Sequence, residues 1–234
     1  MISVSSAVEK IITGKKIIEN NVGKSGDKVY KIESLNHNKN GYLKIEGKEK
    51  LFGIKNEYEV YKFLNGKVKV PEVHFYEYPY LITGEIEGLC SFHVKEEKRL
   101  ETMRILARGL KELHRVDIKD CDIYSELEWE IRNEKYAEGE LHLIEDDYVF
   151  VHGDACLPNM LIHEGQFSGF IDMGAAGIGN RYEDLAYCVW STLYNFKDRK
   201  YVDEFFKEYG GEYYDNDKIN LYIKLQDPEH TLFL

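Results

Sequence analysis

Long hydrophobic runs are missing from this chain. No apolar stretch approaches the roughly 18 residues that a membrane-spanning helix needs, so no membrane partner is expected. The opening residues, MISVSSAVEKIITGKK, lack a basic start followed by a long apolar core, and no export signal is expected. Cysteine is scarce and scattered. Cys90, Cys121, Cys156 and Cys188 form no C-x-x-C pair, which speaks against a zinc site and for reduced thiols in a cytoplasmic protein. A G-x-x-x-x-G-K-[ST] phosphate loop is absent too. Basic residues do not dominate: 31 Lys and Arg face 42 Asp and Glu, a formal charge of -11. That balance disfavours a broad nucleic-acid surface. It would suit a polycationic acceptor drawn into an acidic cleft, although solubility alone accounts for it equally well.

What is present is 234 residues of ordinary globular composition, enough for a core and two lobes around a cleft. The most informative stretch is 149–188. The apolar run Tyr148–Val151 ends in His152-Gly153-Asp154, followed by Asn159. A second run, Phe167–Ile171, ends in Asp172. Met160-Leu161-Ile162 and Phe167–Ile171 read as a hairpin turning through His163-Glu164-Gly165-Gln166, which would fold Asn159 and Asp172 back towards each other. Asp154 would start the loop that faces them. This suits phosphoryl transfer. One carboxylate, Asp154, orients a hydroxyl and takes its proton, while the Asn159 amide oxygen and the Asp172 carboxylate hold Mg²⁺ on nucleotide phosphates. The competing interpretation is an ordinary hairpin with polar residues at its ends.

His152-Gly153-Asp154-Ala155-Cys156-Leu157-Pro158-Asn159 and Gly169-Phe170-Ile171-Asp172-Met173-Gly174 closely resemble the aminoglycoside phosphotransferases, nearest to the 3′-phosphotransferases, or kanamycin kinases. The resemblance runs from about Asn21 to the C-terminus. It implies an α+β, bilobal, protein-kinase-like fold: a small antiparallel sheet with one main helix at 1–83, which binds nucleotide, and a larger, mostly helical catalytic and acceptor-binding part at 84–234. It implies transfer of the γ-phosphoryl group of ATP or GTP, with Mg²⁺, to an aminoglycoside hydroxyl, most simply the 3′-hydroxyl. A same-fold kinase of another small amine or sugar alcohol is the first alternative. A nucleotide-binding regulator without turnover is the second. A monomer or weak dimer is expected.

Other positions follow from the same resemblance. On its own, Gly23-Lys24-Ser25-Gly26 reads as a hairpin turn between extended segments, where small residues would let backbone N–H groups approach phosphate. The family pattern makes Gly23, Ser25 and Gly26 a nucleotide loop and sets Val29 against adenine. Lys44 lies in a short alternating strand, and Glu57 lies on a helix face with Val60, Tyr61 and Leu64. In kinase-like folds such a lysine grips phosphates and such a carboxylate holds the lysine, with Glu59 the competing carboxylate here. Ile82, Thr83 and Gly84 fall at the link between lobes, whose backbone would bind adenine.

Lys98–Val116 is the clearest helical pattern, with His114 as a packed residue. Residues 117–147 are polar and shorter than in the family pattern. Glu126, Glu128, Glu130, Glu134, Glu138 and Glu140 are candidate acceptor contacts there, or solvated helix surface. Ala175 stands where relatives commonly have arginine, and Asn180 where they commonly have aspartate. Asp184 is expected to receive hydrogen bonds from the catalytic loop. Near the C-terminus, Asp227 and Glu229 are candidate ligands for substrate ammonium groups, separated by Pro228.

Overall fold

The structure is a computed structural model that describes residues 2, 4–20, 26–36, 39–48, 50–133 and 147–226. Gly23, Ser25, Glu134, Glu138, Glu140, Asp227 and Glu229 lie outside the described residues.

A short helix, α1 (Ser6–Ile12), opens the chain, with the Ser5 hydroxyl accepting from the Val8 N–H at 3.4 Å. Strands β1 (Ile17–Asn20), β2 (Lys28–Asn36), β3 (Lys39–Ile45), β4 (Val73–Glu77) and β5 (Tyr80–Gly84) form an antiparallel sheet in the order β1-β2-β3-β5-β4. Helix α2 (Ile54–Leu64) connects β3 to β4. Because side chains alternate along a strand, register decides which of them share a face. Tyr30, Leu43 and Ile82 stand in one row across β2, β3 and β5. With Val8 and Ile32 they make a small apolar core beneath α1. The next row, Val29, Lys44 and Leu81, points to the other face, where Leu81 packs with Ile54, Val60, Tyr61 and Leu64 of α2. The period of the strand therefore turns Lys44 towards α2.

After β5 come β6 (Leu89–Cys90), α3 (Arg99–Leu113), α4 (Glu126–Arg132) and β7 (Tyr148–Val151). The hairpin of β8 (Met160–His163) and β9 (Gln166–Phe170) follows, then β10 (Gly177–Asn180), α5 (Tyr182–Phe196), α6 (Lys200–Tyr209) and α7 (Asn216–Gln226). β6, β8 and β9 make a three-stranded sheet, and β7 pairs with β10. Helix α3 is the centre of the larger core. Its Leu106, Leu110 and Leu113 are fully buried, and it packs along α6 and against β9. Gly109 is what lets β9 approach: a Cβ there would lie 2.7 Å from the Phe167 ring. None of the described helices is long and apolar enough to cross a membrane.

Sequence periodicity placed α3 and the β8–β9 hairpin within a few residues of where they occur. It missed α4. Ser125 caps this helix, its hydroxyl accepting from the Glu128 N–H at 3.1 Å, and Ser125-Glu126-Leu127-Glu128 has the Ser-x-x-Glu form of a capping box. Glu128 is not solvated helix surface: it is buried and receives an N–H from Arg132 at 2.6 Å.

The small core beneath α1 gives a direct test. Leu43→Ala is expected to destabilise the protein by about 2–5 kcal/mol, as buried Leu truncations do. Urea denaturation measures it, and a loss below about 1 kcal/mol would show that this face is not tightly packed.

Candidate active site

Three elements converge on one charge. Lys44 on β3 donates to Glu57 Oε2 of α2 at 2.8 Å and to Asp172 Oδ1, just past β9, at 2.5 Å. Glu57 is buried, as its share of the apolar α2 face requires, whereas the competing Glu59 sits at the surface with Lys62. Burial works against the Lys44 charge, but Glu57 and Asp172 outweigh it and hold the ammonium above its usual range. Burial likewise works against the Asp172 charge, and Lys44 outweighs it, holding that carboxyl below the usual carboxylate range. The Asp172 side chain is 56 % exposed, so water screens part of this attraction and leaves the carboxylate accessible. Its backbone adopts φ +60°, a conformation uncommon for a residue with a Cβ.

The hairpin brings Asn159 beside Asp172. Met160 pairs with Phe170, and the Ile171 N–H donates to the Asn159 carbonyl at 3.0 Å. Asn159 is itself tied to the loop after β7. Its Nδ2 donates to Asp154 Oδ2 at 2.8 Å and to the Asp154 carbonyl at 3.0 Å. Both contacts use the amide nitrogen, so the amide oxygen remains an acceptor directed elsewhere. Asp154 is pushed the opposite way from Asp172. Burial raises its pKa, and the nearby Asp172 charge adds to that, against opposing contributions from Cys156, His152 and Asn159.

The loop bearing Asp154 is held from below by Asp184 of α5. The fully buried Asp184 carboxylate accepts from the His152 N–H at 2.8 Å, the Gly153 N–H at 2.9 Å and His114 Nε2 at 2.9 Å. His114 Nδ1 meets the Tyr209 hydroxyl at 2.6 Å, Arg181 donates to that hydroxyl at 2.8 Å, and Arg181 also grips Asp147 through two nitrogens. His152 Nε2 donates to the Ile171 carbonyl at 3.0 Å, and its Nδ1 accepts from the Asp154 N–H at 3.3 Å. That ring is spent on holding backbone and is poorly placed to act as a base. Gly153 has φ +79°, and a Cβ there would lie 2.4 Å from the Ala175 carbonyl oxygen, so only glycine lets the loop close on the segment after Asp172.

Val29 is half-buried in the Lys44 row. Gly26 is exposed at φ +79°, next to Asp27, whose carboxylate is held by Lys50 at 2.9 Å and by the Gly47 N–H at 3.2 Å. Ile82, Thr83 and Gly84 are inside β5, between β3 and β4. The Gly84 N–H is already bonded to Glu72 and the Glu85 N–H to Asn40, so the chain leaves the ladder only after Glu85. Asn180 is buried at the end of β10, where its side-chain oxygen accepts from the N–H of Tyr182, the first residue of α5, at 3.0 Å. Sequence reasoning did not single out Tyr61 or Asn56. Tyr61 is one turn from Glu57 on the same helix face, and that i, i+4 spacing was the available signal.

The opposed pKa shifts have opposite consequences for stability. The lowered Asp172 value means that its pairing stabilises the fold above the unfolded pKa, about 3.9, and is lost as pH falls through the lower folded value. The raised Asp154 value means that its charge opposes folding at neutral pH. Asp154→Asn keeps an acceptor for Asn159 and removes that charge. Thermal melts at pH 7 should therefore show a midpoint at or above that of the parent protein; a drop of several degrees would contradict the assigned burial.

A profile described as "Phosphotransferase enzyme family" matches residues 140–220. An aminoglycoside 3'-phosphotransferase from Niallia circulans is 29% identical, over 89% of this chain and 90% of its own length. Among solved structures, an aminoglycoside-3'-phosphotransferase of type VIII superposes with a TM-score of 0.75 at 22% identity, covering 94% of this chain and 96% of that one. The streptomycin-ATP-APH(2")-IIa ternary complex superposes with a TM-score of 0.67 at 17% identity, covering 94% of this chain and 86% of that one. The chain thus shares the kinase-like α+β architecture of these solved structures, and by its matched profile and near full-length relative it is similar to the aminoglycoside phosphotransferases.

Proposed function

We propose that the protein transfers the γ-phosphoryl group of ATP or GTP to a hydroxyl of an aminoglycoside, the 3′-hydroxyl being the first candidate. The observation that carries this is the placement of Asp154 beside Asn159 and Asp172, with Asp172 reached by Lys44. Residues 1–83 would form the nucleotide lobe and 84–234 the catalytic and acceptor lobe. Val29 would lie against adenine. The hinge at Ile82, Thr83 and Gly84 would contribute chiefly through the backbone that follows it, beyond Glu85, where the ladder ends. The four cysteines are free thiols, which suits a cytoplasmic location.

The donor set fits Mg²⁺. Asn159 directs its amide nitrogen at Asp154 and keeps its oxygen as an acceptor, and the half-exposed Asp172 carboxylate is kept ionised. Two hard oxygen ligands suffice for an ion that retains waters. A bound Mg²⁺ would neutralise charge on the phosphates. In the mechanism, Lys44 binds phosphate oxygens, and Glu57, on its buried side, keeps the ammonium oriented and charged. Asp154 orients the acceptor hydroxyl through its carboxylate and accepts the hydroxyl proton. The transition state is loose, so positioning and charge contribute more than strong basicity. Asn159 keeps the Asp154 carboxylate aimed while the acceptor binds.

Aminoglycosides carry several positive charges, which several carboxylates must meet. Asp227 and Glu229 are the proposed amine ligands, together with acidic residues of 117–147. The short form of that segment, and the burial of Glu128 against Arg132, favour a kinase of another small amine or sugar alcohol as the second reading.

Asp154→Ala should bind nucleotide within about twofold of the parent and lose at least about 100-fold in kcat, in line with the removal of a general base. Coupled nucleotide-turnover assays over a panel of aminoglycosides, including analogues without the 3′-hydroxyl, check both points. Turnover of kanamycin but not of its 3′-deoxy analogues is the expected result. An unchanged rate in Asp154→Ala would rule out its assigned role, and turnover of small amines alone would select the second reading.

A further inference from the structure

Helix α2 reaches Asp172 by a second route besides Lys44. The Tyr61 hydroxyl donates to Glu57 Oε1 at 2.7 Å and accepts from the Asp172 backbone N–H at 3.1 Å. Tyr61 is only 2 % exposed. The direction of each bond is set by chemistry. An ionised carboxylate only accepts and a backbone N–H only donates, so the phenol O–H must donate to Glu57 and its oxygen accept from the Asp172 N–H. The other Glu57 oxygen accepts a hydrogen bond from Lys44, and Lys44 also donates to the Asp172 carboxylate. These contacts close a ring: Asp172 carboxylate, Lys44, Glu57, Tyr61, Asp172 backbone.

The ring bears on the strained point of the site. Asp172 sits at φ +60°, which persists only where neighbours over-determine it. Two α2 side chains hold this turn. Tyr61 takes the Asp172 N–H, and Asn56 Nδ2 donates to the Gly174 carbonyl at 2.7 Å and to the Ala176 carbonyl at 3.1 Å. The aromatic ring of Tyr61 already packs in the main core with Val60 and Leu64. Packing does not require the oxygen, and burying a hydroxyl is unfavourable unless it is bonded.

We propose that Tyr61 is a positioning residue: its hydroxyl locks the Asp172 backbone to the Lys44–Glu57 pair, so that the Asp172 carboxylate is presented to a metal–nucleotide complex. The proposal rests on the function proposed above. It adds that the Tyr61 oxygen is one of the α2 contacts that set the readiness of Asp172.

Tyr61→Phe removes that oxygen and keeps the ring. The test measures the affinity of ADP by calorimetry with and without Mg²⁺, alongside kcat and KM for the aminoglycoside. Affinity without metal should stay within about twofold of the parent. The factor by which Mg²⁺ strengthens ADP binding should fall about tenfold, as expected for the loss of one buried hydrogen bond. The kcat should fall and the acceptor KM should hold. In a Glu57→Gln background, Tyr61→Phe should add little further loss, because both changes break one ring. Tyr61→Met, which also lacks the oxygen, should reproduce the loss of metal response. An unchanged Mg²⁺ factor in both Tyr61 variants, whatever their melting temperatures, would reduce Tyr61 to a packing residue and overturn the proposal. A parent protein that binds ADP with no response to Mg²⁺ would instead overturn the proposed function, and this inference with it.

Discussion

The ion pair between Lys44 and Asp172 is the constraint on which the site depends. It joins a strand of the first sheet to the end of the β8–β9 hairpin, two segments far apart in the chain. Neither partner gains much by itself. Lys44 is mostly buried, and an isolated buried ammonium would shed its proton. It stays charged because Glu57 and Asp172 both face it. Replacing one of its two carboxylate partners with phosphate oxygens is the exchange that nucleotide binding would make in the proposed mechanism. The site is therefore arranged around a cation already held in place by anions before substrate arrives.

The two aspartates are tuned in opposite directions by what surrounds them. Asp172 has an ammonium against it and an open side, and is held ionised. Asp154 has burial, a neighbouring negative charge and one amide donor, and is raised. The loop carrying Asp154 is held by a different set of contacts. Two of its backbone N–H groups end on the buried Asp184 carboxylate, which is itself fixed through His114, Tyr209 and Arg181. A buried carboxylate with three donors is well satisfied, and removing any one donor would leave charge uncompensated.

Much of this was legible in the sequence wherever a strict period or a dense motif was present. The alternation of β2 and β3 turned Lys44 to one face, and the spacing of Glu57, Val60, Tyr61 and Leu64 turned Glu57 inward to meet it. The hairpin could be read from two apolar runs with a Gly165 turn between them, and it put Asn159 next to Asp172. What could not be read depended on contacts between distant segments. The hydroxyl of Tyr61 matters because Asp172 N lies opposite it, and no local pattern announces that. The resemblance set Ile82–Gly84 at the link between lobes, but only the pairing of β5 shows how far the ladder runs through them. Helix α4 has a weak apolar period, and its capping serine was the only strong local cue.

The most direct test is a crystal structure with Mg²⁺ and a non-hydrolysable ATP analogue. Asn159 and Asp172 should lie on the metal, Lys44 should turn to the phosphates with Glu57 still behind it, and the Asp154 carboxylate should face the terminal phosphate without touching the metal. A nucleotide bound away from β3, or a metal held by residues other than Asn159 and Asp172, would contradict the proposed mechanism.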